Sequence, residues 1–205
     1  AMKKLKEANS GLYLAPLRLL ALEGYEDLKE SKIEASLITG EEQQLSEDAA
    51  HICSTIEMLD FDLEVDVAVI DEVQMLEDND RGWAWVNAII GVPAKKVIMT
   101  GSVNALEAVK RIVQYLDEEL EVVRHKRKNP LLVLEKWTPL EKLENGTALI
   151  AFSRAEVLKL KQKLQKKYSV SVIYGNLSPE VRRDEARRFR DGQSQILIAT
   201  DAISM

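Results

Sequence analysis

Short runs of aliphatic and β-branched residues alternate with segments of helical period along almost the whole chain. This alternation is typical of parallel strands joined by crossover helices, and it predicts an α/β fold. The predicted strands are 11–15, 36–39, 51–54, 66–70, 96–100, 121–124, 131–134, 147–152, 171–174 and 195–199. The predicted helices are 17–29, 83–90, 104–116, 154–167 and 179–190.

Two polar, proline-containing stretches interrupt this rhythm, at 124–130 and at 137–139. Such stretches favour domain boundaries, because few contacts cross them. The alternation of strand and helix restarts after the second stretch. We therefore place the boundary near 136–140, which predicts a first domain at 1–136 and a second at 137–205.

Composition narrows the class of protein. The 205 residues are 46% apolar and 30% charged, with 9 Gly and 5 Pro, which excludes collagen-like, mucin-like and disordered chains. A single cysteine, Cys53, excludes an internal disulfide framework and a cysteine-based zinc site, so a reducing, intracellular setting is expected. No apolar run approaches the roughly 18 to 20 residues that span a bilayer, and we predict no membrane partner.

The charge is unevenly distributed. Residues 1–136 hold 16 basic and 26 acidic side chains, whereas residues 137–205 hold 12 and 8. A basic second part could meet polyanions, although a solvated basic face is the more common explanation. The arginines of the last predicted helix, 179–190, have the same two interpretations, binding of polyanions or a solvated face.

Two carboxylates, Asp71 and Glu72, follow directly after the apolar strand 66–70. The carboxyl ends of strands form the edge at which open α/β sheets bind ligands. Asp71 could hold a hydrated magnesium ion, and Glu72 could orient or deprotonate a water that attacks a phosphate. Ordinary solvated acids at the end of a strand are an equally good reading of this motif alone.

Two further strands end in small hydroxyl or acidic groups. Thr100, Gly101 and Ser102 follow the strand 96–100, and Thr200 and Asp201 follow the strand 195–199. Each piece alone is more often a turn or a helix cap. Their order favours a nucleotide site, and we expect Asp71, Glu72, Thr100, Ser102 and Asp201 to face a shared crevice between two domains.

Taken together, these motifs resemble a superfamily 2 nucleic-acid helicase, and within it the mitochondrial degradosome RNA helicases and their bacterial relatives, the Suv-three type. The segments that carry the resemblance are 14–21, 39–42, 69–75, 81–85 and 172–177. The Arg-Gly-Trp-Ala-Trp of 81–85 is the most family-specific of them. The resemblance implies two RecA-like parallel-sheet domains in tandem.

The resemblance also implies roles for matching residues. Asp71 would coordinate magnesium, Glu72 would position the hydrolytic water, and Gln74 would link the nucleotide site to the second domain. Thr100, Gly101 and Ser102 would couple hydrolysis to movement along the nucleic-acid strand. Asp201 would contact the nucleotide. The positions that would grip the RNA backbone are Pro16, Arg18, Thr39, Gly40 and Thr55 in the first domain and Ser153, Arg154, Gly175 and Thr200 in the second.

The function implied is that of an ATP-dependent RNA helicase that uses ATP and magnesium, with RNA as partner and an exoribonuclease as a further one. The setting would be the bacterial cytoplasm or, in a eukaryote, the mitochondrial matrix. Two alternatives stay open: a DNA translocase of the same superfamily, and a nucleic-acid-binding or assembly module that has lost catalysis.

The phosphate-binding loop Gly-x-x-x-x-Gly-Lys-Thr is absent from these 205 residues, and so is the arginine-bearing motif expected beyond Met205. We therefore expect the chain to be cut at both ends. Without the backbone cradle and lysine of that loop, a triphosphate cannot be held. We predict that this polypeptide alone has no ATPase activity; measurable turnover by the purified chain, with contaminants excluded, would contradict this.

Other conspicuous residues have plain structural interpretations. Trp83, Trp85 and Val86 lie at near-helical spacing and are more often core than base-stacking platforms. Cys53 lies in a short apolar strand, where a buried inert thiol is expected.

Overall fold

The computed structural model describes residues 1–125 and 131–200. The chain divides into two compact units, Ala1–Val123 and Arg124–Met205. The domain boundary expected near 136–140 stays a prediction.

The predictions of strands at 121–124 and 131–134 are wrong. Residues 121–125 and 131–134 have no regular secondary structure. The four apolar side chains of 131–134 are between 71% and 95% exposed. An apolar run becomes a strand only when a neighbouring strand and a buried face are available to it, and β-propensity alone supplies neither.

The first unit is a six-stranded sheet with helices on both faces. Its strands are β1 (Gly11–Ala15), β2 (Ala35–Ile38), β3 (Gln43–Gln44), β4 (His51–Thr55), β5 (Val65–Ile70) and β6 (Ala94–Met99). Its helices are α1 (Met2–Lys6), α2 (Arg18–Glu30), α3 (Gly82–Gly91) and α4 (Leu106–Tyr115), with single 3-10 turns at Ile56–Met58, Val73–Glu77 and Val103–Ala105. The strand order is β3-β2-β4-β1-β5-β6, and only β3 is antiparallel to its neighbour.

Each face of this sheet has its own core because side chains alternate along the strands. In β1, Leu12 and Leu14 pack with α3 and α4, whereas Tyr13 and Ala15 pack with α1 and α2. Strands covered on both faces are almost continuously apolar, which explains why the sequence located them well.

The two tryptophans of α3 have opposite environments. Trp85 is fully buried in the core under α3 and α4, which confirms the expected core role. Trp83 is 57% exposed, so the same expectation is wrong for it. Residues two apart on a helix point in different directions, and only one of the two can face the sheet. On the opposite face of the sheet, burial raises the pKa of the Cys53 thiol to about 12, as expected for an inert cysteine.

The second unit has a three-stranded parallel sheet of order β7-β9-β8, formed by β7 (Thr147–Ile150), β8 (Val170–Ile173) and β9 (Ile196–Ala199). Helices α5 (Arg154–Leu164) and α6 (Pro179–Arg190) cover its two faces, and Leu140–Lys142 forms a 3-10 turn. Ser153 and Ser178 cap the two helices by accepting hydrogen bonds from backbone N–H groups of their first turns. None of the helices in the described ranges has the length and apolar character that crossing a membrane requires.

Candidate active site

Asp71 and Thr100 meet because β5 and β6 are parallel neighbours. Ile70 is in register with Met99, so the next residue of each strand projects from the same edge of the sheet. The Thr100 hydroxyl donates a hydrogen bond to Asp71 Oδ1, and the Thr100 N–H donates to the carbonyl of Ile70 at 3.0 Å. The structure thus brings together two of the side chains that the sequence assigned to one site.

The carboxylate of Asp71 is held from three directions. Tyr13 donates its hydroxyl to Asp71 Oδ2 at 2.8 Å, and the backbone N–H of Glu72 donates to Oδ1 at 3.0 Å. Burial, followed by the charge and the hydrogen bond of Asp71, raises the pKa of Tyr13 well above its ordinary value. The phenol therefore stays protonated and acts as a donor to the carboxylate.

These contacts fit a magnesium ion that keeps most of its water. A carboxylate offers about four acceptor positions, and the three donors leave one of them free on Asp71. Magnesium is commonly bound through one or two carboxylates plus waters and substrate phosphates, so a single carboxylate suffices. The described ranges contain no cluster of three or more His, Cys, Asp or Glu side chains that would form an all-protein metal site.

Glu72 adopts a backbone conformation that is uncommon for a side-chain-bearing residue. Its φ of 52° and ψ of 50° lie in the left-handed region. Its carboxylate accepts a hydrogen bond from the Gln74 amide, and Gln74 Oε1 accepts one from the backbone N–H of Ser102 at 3.0 Å. Strained residues persist where the surroundings hold them, and here the Gln74 link fixes the Glu72 side chain.

Residues 71–74, which follow β5, form a segment that we call the acidic loop. Gly101 allows the segment after β6 to pack against this acidic loop. A Cβ atom at this position would lie 2.6 Å from Gln74 Oε1, 2.9 Å from Val73 Cγ2 and 3.0 Å from the Val73 backbone nitrogen. The first two distances are shorter than real Cβ contacts, and the third is tighter than most of them. A glycine here therefore permits the contact between Gln74 and the neighbouring strand end.

A cavity of about 450 Å³ opens beside the Asp71 carboxylate. Its lining combines Tyr13, Asp71 and Thr100 with Val69 and the first three residues of the chain, Ala1, Met2 and Lys3. Its volume lies within the roughly 300–1,000 Å³ typical of small-molecule sites. Asp71 and its two hydroxyl partners, Tyr13 and Thr100, thus line one common cavity.

The first-unit positions expected to grip RNA all follow strands that end at this same edge. Thr55 ends β4, and Pro16 and Arg18 follow β1. Thr39 and Gly40 follow β2. Parallel neighbours deliver their carboxyl ends to one side of the sheet, so these positions share an edge with Asp71.

Several of these side chains are already engaged within the unit. The Thr39 hydroxyl accepts a hydrogen bond from the Glu42 N–H at 3.0 Å, and both Thr39 and Thr55 are buried. Arg18 forms an ion pair with Glu41. The side chains of Arg18, Thr39 and Thr55 are therefore paired or buried within the unit.

The second unit repeats the arrangement on a smaller scale. Ser153 and Arg154 begin α5 directly after β7, and Gly175 and Thr200 follow β8 and β9. The Thr200 N–H donates to the carbonyl of Ile173 at 3.0 Å. Asp201 lies outside the described residues, so its expected place beside the acidic loop stays a prediction.

Sequence reasoning missed the contact of Tyr13 with the Asp71 carboxylate and two residues that hold backbone carbonyls from outside the site, Arg81 and Trp85. The Trp85 indole N–H donates to the Asp71 carbonyl at 2.8 Å, and Arg81 Nη2 donates to the Pro16 carbonyl at 2.6 Å. Tyr13 carries the one visible signal, a hydroxyl in an otherwise aliphatic strand. The other two lie in the family-specific segment 81–85, where Trp85 was expected in the core and Arg81 had no assigned role.

Two known protein families match this chain. Residues 1–125 match a family described as the DEXQ-box helicase domain of Suv3, and residues 129–205 match the helicase conserved C-terminal domain. The Asp-Glu-x-Gln of that description corresponds to 71–74 in this chain.

Two curated relatives are similar over the whole chain. The mitochondrial ATP-dependent RNA helicase SUV3 of Saccharomyces cerevisiae is 40% identical over 100% of this chain and 29% of its own length. The mitochondrial SUV3 homolog of Caenorhabditis elegans is 37% identical over 100% of this chain and 30% of its own length. The chain thus spans about three tenths of the relatives it matches.

Two solved structures share the fold at low identity. Saccharomyces cerevisiae Dbp5 bound to RNA and ADP BeF3 matches 99% of this chain and 61% of its own, with a TM-score of 0.66 and 18% identity. Mycobacterium smegmatis helicase Lhr bound to ssDNA and AMP-PNP matches 97% of this chain and 34% of its own, with a TM-score of 0.71 and 16% identity. These likenesses confirm the predicted RecA-like α/β fold.

Proposed function

We propose that this chain, which belongs to the family of the Suv3 DEXQ-box helicase domain, forms part of an ATP-dependent RNA helicase. Membership in the family confirms the resemblance seen in the sequence. The main observation behind the proposal is that the acidic loop is hydrogen-bonded to the segment that follows β6. The two bonds join Asp71 to Thr100 and Gln74 to Ser102.

The acidic loop supplies the groups that hydrolysis of a nucleoside triphosphate needs. Asp71, fixed by Tyr13 and Thr100, would hold magnesium, which when bound neutralises charge on the phosphates. Glu72 would accept the proton of the attacking water as general base. Gln74 holds the Glu72 carboxylate, so the base is oriented before the substrate arrives.

The strand ends beside the loop supply the contacts for RNA. We assign backbone contacts to Pro16, Arg18, Thr39, Gly40 and Thr55 in the first unit and to Ser153, Arg154, Gly175 and Thr200 in the second. Contacts to phosphate and sugar give affinity without reading bases, as a motor on RNA requires. Alternating grip by two such units would move the strand stepwise.

Coupling between hydrolysis and RNA would pass through the segment of Thr100, Gly101 and Ser102. This segment contacts the acidic loop at three points, among them the Val73 N–H, which donates to the Thr100 carbonyl at 2.8 Å. A shift of the loop after hydrolysis would therefore move the segment with it.

We also propose a setting and a partner nuclease. The yeast and nematode relatives are named mitochondrial, which favours the mitochondrial matrix over the bacterial cytoplasm. We keep a processive exoribonuclease as the proposed partner, because unwinding would present it with single-stranded RNA.

The test compares ATP hydrolysis by the complete gene product in the presence of RNA and of DNA of the same sequence. We expect RNA to raise turnover about tenfold, in the range typical of coupling between two sites. Equal or greater stimulation by DNA would favour a DNA translocase. No turnover with either polymer, while RNA binding is retained, would favour a binding module without catalysis.

A further inference from the structure

Arg81 joins three separate segments of the first unit. It is the residue immediately before α3, and its Nη2 atom donates to the Pro16 carbonyl at 2.6 Å. Its Nε atom donates to Glu57 Oε1 at 2.8 Å, and Nη2 lies 2.8 Å from the same oxygen. The guanidinium carbon lies 5.4 Å from the centroid of the Trp85 ring. One side chain therefore links the segment after β1, the segment after β4 and the start of α3.

Trp85 continues this linkage to the acidic loop. Its indole is fully buried, and its Nε1–H donates to the Asp71 carbonyl at 2.8 Å. The Asp71 N–H in turn donates to the Leu14 carbonyl at 3.0 Å, so the backbone of Asp71 is held on both sides. A continuous series of contacts thus runs from Asp71 through Trp85 and Arg81 to Pro16.

The far end of this series lies at positions assigned to RNA. Pro16 is itself one of them, and Glu57 stands two residues after another, Thr55. Pro16 follows β1 and Glu57 follows β4, and both strands end at the edge of the sheet that carries Asp71. The series therefore connects the loop assigned to hydrolysis with the strand ends assigned to RNA.

Arg81 is committed to these internal contacts. Its side chain is 31% exposed and that of Glu57 is 30% exposed, so neither is a fully solvated surface charge. Its backbone N–H donates to Asp78 Oδ1 at 2.8 Å, a bond that lowers the pKa of that carboxyl and fixes the turn before α3. A guanidinium that stacks on a ring while donating to a carbonyl and a carboxylate uses the planar fork that lysine lacks.

We propose that Arg81 and Trp85 are positioning residues that couple the acidic loop to the RNA-facing ends of β1 and β4. The inference rests on the proposed function, since it concerns how RNA acts on the same hydrolytic site. RNA bound at the ends of β1 and β4 fixes Pro16 and Glu57, and through Arg81 and Trp85 it holds the Asp71 carbonyl in its productive place. In this proposal both side chains act through Pro16, Glu57 and Asp71.

The test uses the complete gene product and measures kcat and the KM for ATP with and without saturating RNA. For Arg81→Ala we expect the stimulation by RNA to fall about threefold, so that part of it remains measurable, while unstimulated kcat and the KM for ATP stay within about twofold. Arg81→Lys should show nearly the same loss, because an ammonium cannot contact Pro16, Glu57 and the Trp85 ring together.

A matched control removes a different ion pair of the same unit. Lys95 Nζ lies 2.7 Å from Asp66 Oδ1, and both residues lie near the amino ends of their strands, away from the acidic loop. Lys95→Ala should leave the stimulation by RNA unchanged. Thermal unfolding of each variant accompanies the kinetics, so a folding defect is recognised as such.

A second pair of variants tests whether the two residues act as one unit. Trp85→Phe keeps an aromatic ring in the core but removes the N–H that donates to Asp71. If the residues belong to one series of contacts, combining Trp85→Phe with Arg81→Ala should reduce the stimulation no further than Arg81→Ala alone. Multiplied losses in the double variant would overturn the inference.

The remaining outcomes separate this inference from the proposed function. An unmodified protein that RNA does not stimulate overturns the proposed function and the inference with it. An unmodified protein that RNA stimulates, together with an Arg81→Ala variant stimulated to the same degree, overturns the inference alone. Equal losses of unstimulated and stimulated turnover would also overturn it, because they indicate a purely structural role.

Discussion

Replacing Glu72 by Gln is expected to lower ATP turnover by about 10²–10⁴-fold in the complete gene product, the range that a general base contributes, while nucleotide binding is retained. The amide cannot accept the proton of the attacking water. It keeps a carbonyl oxygen that can still accept the hydrogen bond from Gln74, so the loop should keep its shape. Steady-state turnover and equilibrium binding of a labelled nucleotide measure the two effects separately.

Glu77→Gln is the matched control for this change. Glu77 is exposed and ends the 3-10 turn Val73–Glu77, which begins directly after Glu72. The same loss of charge at Glu77 should therefore leave turnover unchanged. Unchanged turnover in Glu72→Gln would refute the role of Glu72 as base. A parallel loss of nucleotide binding and turnover would instead assign Glu72 to binding.

Truncating Trp85 to Ala should lower the free energy of unfolding by about 3–5 kcal/mol, the usual cost of removing a buried aromatic side chain. Trp85 is fully buried between α3 and the sheet, and its loss leaves a cavity. It also removes the donor to the partly buried Asp71 carbonyl, which places the expected loss toward the upper end of that range. Urea denaturation followed by circular dichroism measures the change.

Trp83→Ala supplies the comparison, because the same truncation two residues earlier removes a side chain that is 57% exposed. Its effect should stay within about 1 kcal/mol, as for most surface substitutions. If both variants lost the same stability, the burial of Trp85 would not explain the result. The difference between the two variants is therefore the informative quantity.

Much of the fold could be predicted because its signals are local. Strand β1 and helix α6 have the predicted bounds, and the other strands of the two sheets, apart from the two-residue β3, were located to within a few residues. A strand covered on both faces carries its burial in its own composition, and a serine followed by proline marks the start of α6. The failed strands 121–124 and 131–134 show the limit, because their apolar residues have no partner strand.

Part of the candidate site could be predicted from the sequence for the same reason. The sequence located Asp71, Glu72, Thr100 and Ser102 because each follows an apolar strand directly. It could not show that Tyr13 donates to Asp71, since 58 residues separate the two, or that Arg81 donates to Pro16 across 65 residues. Those contacts depend on the order of the strands, which places β1 beside β5.

The sequence by itself therefore determined the α/β class, most of the strands and helices, the family and the acidic loop, because period, composition and motif spacing act over a few residues. Only the tertiary structure decided which side chains hold the Asp71 carboxylate, which tryptophan is buried, and how Arg81 connects the loop to the ends of β1 and β4. Hydrogen bonds between distant residues form only after strand order and register have brought the donors and acceptors together.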